Sequence, residues 1–200
     1  MAAITDWTTP PTLRGKHVLL EPLAPAHAAG LQAAVEDGRL HEIWYTSVPA
    51  PEDVEAYVAG ALEKQATGTQ LAFAVRDANG RVVGTTRFYE IDANVPRLQI
   101  GYTWYAKSVQ RTGLNTEAKL LLLTYCFEIL RCAAVGLQTS WFNQASRTAI
   151  ARLCAKEEGI TRNHVRHKDG TLRDTVNFSI IEGEWPAVKL NLLARLEQHA

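Results

Sequence analysis

Cysteine is too scarce here to staple a fold. Cys126, Cys132 and Cys154 are odd in number, lack metal-ligand spacing and fall within apolar helical patterns or at their ends, so reduced packing residues are expected. Neither sign of charge is in excess. Lys plus Arg and Asp plus Glu are 21 each, a formal net charge of zero, which removes the electrostatic footprint of a general nucleic-acid binder. No apolar run approaches the roughly 18 residues of a membrane span, and the opening MAAITDWTTPPTLRGK has no apolar core ahead of a cleavage site. A cytoplasmic protein with no nucleic-acid partner and no membrane partner is expected. The histidines are scattered, and His164 and His167 would face opposite sides of one strand, so no metal site is expected. Repeats and low-complexity segments are missing. So are two well-known phosphate loops, G-x-x-x-x-G-K-[ST] and a G-x-G-x-x-G after a strand.

What the chain does have is 46% hydrophobic content in 200 residues, enough for one sizeable core and most simply for one domain, residues 1–200. Residues 1–14, with Pro10 and Pro11 adjacent, read as a lead-in that need not be ordered. HVLLEPL is a short strand, Pro25 starts a helix with Ala28, Leu31 and Val35 on one face, and PEDVEAYVAGALEKQ is a second helix ending before Gly68. The aromatic and proline-rich loop between them, with Trp44 and Tyr45, has the character of a binding-site wall. QLAFAVRD and RVVGTTRFYEI alternate around Asn79-Gly80, a hairpin signal, and RLQIGYTWY is a further strand in which Gly101 predicts a bulge or a close backbone approach. A helix from Asn115 to about Arg131, the strand AVGLQTSW and the helix NQASRTAIARLCAKEEG follow. In that last helix Asn143 is the cap, and Ala145, Ala149, Ile150 and Leu153 face inward. Two strands flanking Asp169-Gly170 and a closing helix over 183–200 complete the order.

The organising stretch is QRTGLNTEAK, Gln110 to Lys119, between a strand and a strongly apolar helix. A glycine-centred turn there leaves backbone N–H groups free at the positive end of the helix dipole, a design that suits phosphate. Gly113 permits close approach, Asn115 or Thr116 can cap the helix, and Glu117 suits its first turn. An ordinary strand-to-helix turn remains the other reading of the loop taken alone.

QRTGLN resembles the pyrophosphate loop [QR]-x-x-G-x-[GA] of the GNAT acyltransferase superfamily, matching at Gln110 and Gly113 and departing at Asn115. The following T-E-A is similar to the ribosomal-protein N-terminal acetyltransferase branch, and the order of elements from about residue 15 to 182 resembles the GNAT layout. WFNQASRTAIARLCAKEEG resembles the family's N-x-x-[SA] helix, with Cys154 where glycine is frequent. The resemblance implies a mixed α/β GNAT fold, a mostly antiparallel seven-stranded sheet with flanking helices. It also implies direct acetyl transfer from acetyl-CoA to a primary amine: a protein N-terminus, an amino acid or a small-molecule amine.

By the same resemblance, Gln110, Arg111, Thr112, Gly113, Leu114, Asn115 and Thr116 would hold the pyrophosphate. The backbone of Thr103, Trp104 and Tyr105 would run beside the pantetheine and offer an oxyanion donor, and Asn143 would hydrogen-bond the pantetheine. The family's tyrosine acid falls at Ile150, and Ser146 matches the serine that takes its place. Its glutamate base falls at Gln99, so the base is unassigned, with Glu90 and Asp92 as alternatives. Trp44, Tyr45 and Tyr89 are expected acceptor walls, with core packing as their other reading. Exposed strand edges make a homodimer an expectation. Ile150 and Gln99 also admit a non-catalytic acyl-CoA sensor, and the loop alone admits a nucleotide binder of another fold.

Overall fold

Continuous buried runs in the central strands, such as Leu71 to Val75, and apolar residues at every third or fourth position of the helices put a layer of helix on each face of one sheet. The computed structural model describes residues 6–198; residues 1–5 of the expected lead-in and the last two of the closing segment lie outside them. The strands are β1 (Leu13–Arg14), β2 (Val18–Pro22), β3 (Gln70–Asp77), β4 (Val82–Asp92), β5 (Arg97–Tyr105), β6 (Ala134–Ser140), β7 (Lys156–Arg166) and β8 (Leu172–Ile181). They form one sheet in the order β1-β2-β3-β4-β5-β6-β8-β7. The helices are α1 (Ala28–Glu36), α2 (Val54–Ala66), α3 (Gly113–Thr124), α4 (Gln144–Ala151) and α5 (Trp185–Glu197). Helix α3 continues as a π turn, Tyr125–Ile129.

Consecutive residues of β4 show which helices cover which face. Arg87 meets Tyr57 of α2, whereas Phe88 packs on Phe73 and stacks with Tyr125 beyond α3. Helices α1 and α2 therefore cover one face over β3 and β4, and α3 with α5 covers the other.

Among the described residues the sheet has eight strands rather than the expected seven. The extra one is β1, which pairs Leu13 with Leu20 and Arg14 with Leu19. It exists because the turn after it is fastened to α3: the Glu117 carboxylate accepts from the N–H groups of Lys16 (2.9 Å), His17 (2.6 Å) and Val18 (2.9 Å). Gly15 is required there for space. A Cβ on it would lie 2.2 Å from the carboxyl carbon of Glu117.

Two boundaries depart from expectation, each at a residue with left-handed backbone. Arg111 (φ 62°) turns the chain early, so α3 starts at Gly113 and Thr112 is its cap, its hydroxyl accepting from the Leu114 N–H at 3.3 Å; Asn115 and Thr116 lie inside the helix. Cys154 (φ 63°) stops the α4 segment, so Lys156–Gly159 joins β7 instead of prolonging the helix. Cys154 is exposed, unlike buried Cys126 and Cys132, and Ala145 is exposed while Ile150 and Leu153 are buried. A left-handed residue with a Cβ costs about 1 kcal/mol, so Cys154→Gly should raise stability by roughly 0.5–1 kcal/mol, read as a higher denaturation midpoint at unchanged slope.

Candidate functional site

The sheet opens where the one parallel pair among the described residues ends. β5 and β6 are paired from Arg97–Ala134 to Ile100–Leu137, after which β5 runs on to Tyr105 and β6 to Ser140 without partnering each other. A register shift between β4 and β5 begins the divergence: Thr85 faces Trp104 and Arg87 faces Gly101, so β5 carries one extra residue. Tyr102 takes a left-handed φ of 51° within that bulge. Gly101 meets the expected close approach, since a Cβ there would sit 2.6 Å from the Tyr89 ring.

Each arm of this V leads into a helix N-terminus. From β5 the chain passes through Gln110, Arg111 and Thr112 into α3, and Gln110 ties the loop back by donating from its side-chain amide to the Tyr105 carbonyl (2.9 Å). Gly113, Leu114 and Asn115 form the first turn, whose N–H groups have no intrahelical acceptor; Thr116 follows them. From β6 the chain passes through Trp141 and Phe142 into α4, where the Asn143 side-chain oxygen accepts from the Ser146 N–H at 3.0 Å. Its amide nitrogen stays free to donate, and Ser146 is half-buried.

The backbone of Thr103, Trp104 and Tyr105 is braced from both sides of the sheet. Trp104 donates its indole N–H to the Tyr57 hydroxyl at 3.4 Å on the α2 face. On the α3 face the Lys119 ammonium donates to the Thr103 hydroxyl (3.0 Å), which lies 2.7 Å from that of Thr86. Burial pulls the Lys119 pKa down to about 7. Tyr105 is buried and its hydroxyl has no partner, and burial pushes that phenol well above its ordinary range.

The expected acceptor walls separate into two clefts. Trp44 contacts Tyr45 (5.5 Å between ring centroids), Phe142 (5.1 Å) and His167 (4.9 Å), and with Phe142 it lines a cleft of about 380 Å³ against the β7–β8 turn. Lys168 secures this arrangement by donating to the carbonyls of Val48 and His41. Tyr89 instead lines a second cleft of about 480 Å³ with Tyr102, Gln70, Glu90 and Lys64, and its ring packs edge-on against Tyr102 at 5.2 Å. Burial, then the Glu90 charge, raises the Tyr89 phenol. Of the two alternative bases, Glu90 lines this cleft, whereas Asp92 accepts from the N–H groups of Asn94 and Val95 in a turn. Gln99 is half-buried beside Gly136, and its side-chain oxygen has no partner.

Sequence reasoning missed Phe142, His167, Gln70, Tyr102, Arg87 and Arg173. A strand residue facing an uncovered stretch of sheet looks in sequence like any solvated polar position. Phe142 alone carried a signal, an apolar residue just ahead of a helix cap.

Residues 17–156 match the model of the acetyltransferase (GNAT) domain. The chain belongs to the GNAT acetyltransferase family. A GCN5-related N-acetyltransferase from Brucella melitensis superposes with a TM-score of 0.81 at 30% identity, over 92% of this chain and 84% of that one. Over 111 residues the chain is 31% identical to the Bacillus subtilis protein named "Putative ribosomal N-acetyltransferase YdaF", a match that takes in 56% of this chain and 60% of YdaF. The chain thus matches about three fifths of that curated relative's length. RimJ of Mycobacterium smegmatis, solved in complex with CoA-disulfide, shares the fold at a TM-score of 0.76 and 22% identity, over 92% of this chain and 93% of that one. The GNAT fold expected from the loop and the element order is the one observed. Among the described residues no helix is long and apolar enough to cross a membrane, and no three His, Cys, Asp or Glu residues are grouped so as to hold a metal ion.

Proposed function

We propose that this GNAT protein transfers the acetyl group of acetyl-CoA directly to a primary amine. The observation that carries the reading is the divergence of β5 from β6 beside a left-handed loop at the start of α3. It exposes one strand's unpaired backbone groups next to the first-turn N–H groups of α3, which have no intrahelical acceptor. Acetyl-CoA supplies a thioester whose carbonyl carbon the neutral amine attacks; the C–N bond forms, the C–S bond breaks, the nitrogen loses a proton and the sulfur gains one.

The residues of this chain meet those needs as follows. The first-turn N–H groups of α3 with Arg111 and Thr112 bind the pyrophosphate, where the helix dipole and the guanidinium both favour anions. Backbone N–H groups of Thr103 to Tyr105 flank the pantetheine and donate to the developing oxyanion. The free amide nitrogen of Asn143 donates to the same arm. Ser146 protonates the departing sulfur, and Glu90 receives the amine proton directly or through water. Orientation of two bound substrates supplies several kcal/mol without any strong acid or base, which accommodates Ile150 and Gln99.

Thermal melts with acetyl-CoA, coenzyme A, ATP and NADH, followed by thiol release over an amine panel, test the reading. Stabilisation by the coenzyme A species alone together with amine-dependent thiol release is expected. Coenzyme A binding without transfer to any amine would favour a sensor, and no stabilisation would reject the site. Ser146→Ala should lower turnover by roughly 10- to 100-fold at unchanged coenzyme A affinity. Unchanged turnover at saturating substrate removes Ser146 from the mechanism.

A further inference from the structure

Three large apolar side chains stand open to solvent around one cleft. Trp44 is 43% exposed, Phe142 53% and Leu172 47%, and with Asp169 and Thr171 they line the cleft of about 380 Å³. Apolar surface gathered in one exposed hollow with a polar rim is the mark of a binding site. The hollow is held in shape. Lys168 ties the β7–β8 turn to the loop that carries Trp44 by donating to the carbonyls of His41 and Val48, and the Trp44 and Phe142 rings meet at 5.1 Å. The rings of the second cleft are already engaged: the Arg87 guanidinium lies 4.6 Å from the Tyr102 ring centroid and 4.5 Å from that of Tyr57, Tyr89 packs edge-on against Tyr102, and the charge of Arg173 bears on both Tyr89 and Tyr102.

The end of β6 places the open cleft beside the strand divergence. Ser140 of β6 pairs with Thr175, and the Trp141 N–H donates to the Asp174 carbonyl at 3.0 Å, so Leu172 and the β7–β8 turn project past the end of β6 at which β5 has parted from it. Phe142 directly precedes Asn143, the cap of α4. One wall of the cleft is therefore bonded to the residue assigned to the pantetheine. Trp44 comes from the loop between α1 and α2, the helices of the sheet face opposite α3. A molecule in the cleft thus meets the coenzyme from the other side of the sheet.

Asp169 is the charged group among the residues that line this cleft. Its Oδ1 accepts from the Thr171 N–H (3.0 Å) and the Thr171 hydroxyl (2.7 Å), contacts that hold the carboxyl below its usual range and keep it ionised. The neighbouring cation, Lys168, is committed to two carbonyls. Rings and an unpaired acid together suit a cation on an aromatic skeleton.

We propose that the acetyl acceptor is a small amine on an aromatic skeleton, its ring held by Trp44, Phe142 and Leu172 and its ammonium drawn in by Asp169. Asp169 contributes to capture alone, because attack requires the neutral amine. The inference rests on the acetyl-transfer reading, since it takes this cleft as the acceptor side of Asn143.

The test reads binding first. With the full chain saturated by coenzyme A, phenethylamine, propylamine and phenethyl alcohol are titrated calorimetrically near neutral pH. Phenethylamine should bind roughly ten-fold or more tightly than propylamine, through the apolar area of its ring, and roughly two- to five-fold more tightly than the uncharged alcohol. Trp44→Ala and Phe142→Ala, which truncate exposed side chains, should each weaken phenethylamine by roughly five-fold or more at unchanged coenzyme A affinity. Asp169→Asn keeps the oxygen that accepts from Thr171, so it should abolish the preference over the alcohol and leave the preference for the ring. Equal binding of phenethylamine and propylamine, or no binding of either, overturns the proposal. So does a ring preference that survives both truncations, or a preference over the alcohol that survives Asp169→Asn. Ring-selective binding without thiol release from any amine would reject the transfer reading alone, whereas thiol release that favours propylamine would reject this inference alone.

Discussion

Glu117→Ala should cost about 3–5 kcal/mol, because the substitution strands three backbone donors that this side chain alone satisfies. The acceptors are shared unequally: one carboxylate oxygen takes the N–H of Lys16 and the other those of His17 and Val18. Glutamine has a single acceptor oxygen, so Glu117→Gln can keep the two-donor site only by turning its NH₂ against the Lys16 N–H, and an intermediate loss is expected. Gly15→Ala attacks the same contact from the other side by pushing a Cβ into the carboxylate. The melting temperature of Glu117→Ala should fall by roughly 10 °C for a chain of this size. Because Glu117 lies one turn beyond the first-turn donors of α3, its loss should also weaken coenzyme A binding. A melting temperature within a degree or two of the parent would show that water replaces the carboxylate at little cost.

That carboxylate also marks how far a sequence can be read. Glu117 reads in sequence as a first-turn acid, but α3 starts at Gly113 and leaves it one turn further in, and nothing local reveals that its carboxylate accepts from donors about a hundred residues back and so fastens a two-residue strand. The element order and the bulge at Gly101 were legible because alternation, helical spacing and glycine are local signals. The ends of α3 and α4 were not, since Arg111 and Cys154 adopt a conformation that their side chains do not announce. In the candidate site, the loop from Gln110 and the Asn143 cap stood out as motifs. Arg87 and Arg173 did not, because on a strand an arginine beneath two tyrosines and one in water have the same neighbours in sequence. Trp44 and Tyr89 were legible as aromatic walls, though their division between two clefts depends on the β7–β8 turn folding back over the loop after α1.

Lys119→Met should stabilise the protein by a few kcal/mol near neutral pH, with the gain disappearing as the solution becomes alkaline. Lys119 is 6% exposed, and burial lowers its pKa from 10.5 to about 7. An unfolded chain keeps that lysine protonated up to about pH 10.5. Between pH 7 and 10.5 the unfolded state therefore binds more protons than the folded one, and stability attributable to this group rises with pH. The penalty is fully present below about pH 7 and absent above about pH 10.5, so the difference in melting temperature between variant and parent should be large at pH 6.5 and small at pH 10. Taking that difference cancels the other titrating groups. The gain comes with a loss of order at the strand divergence. The Lys119 ammonium donates to the Thr103 hydroxyl, which is itself hydrogen-bonded to the Thr86 hydroxyl, and this chain of contacts fixes β5 at its bulge. Methionine fills the space but cannot donate. Turnover should fall in the variant even as its melting temperature rises, the pattern expected where a buried polar group serves position at the expense of stability. A variant that is less stable than the parent at pH 6.5, or whose advantage does not change with pH, would refute the account of Lys119 as a charge held under strain.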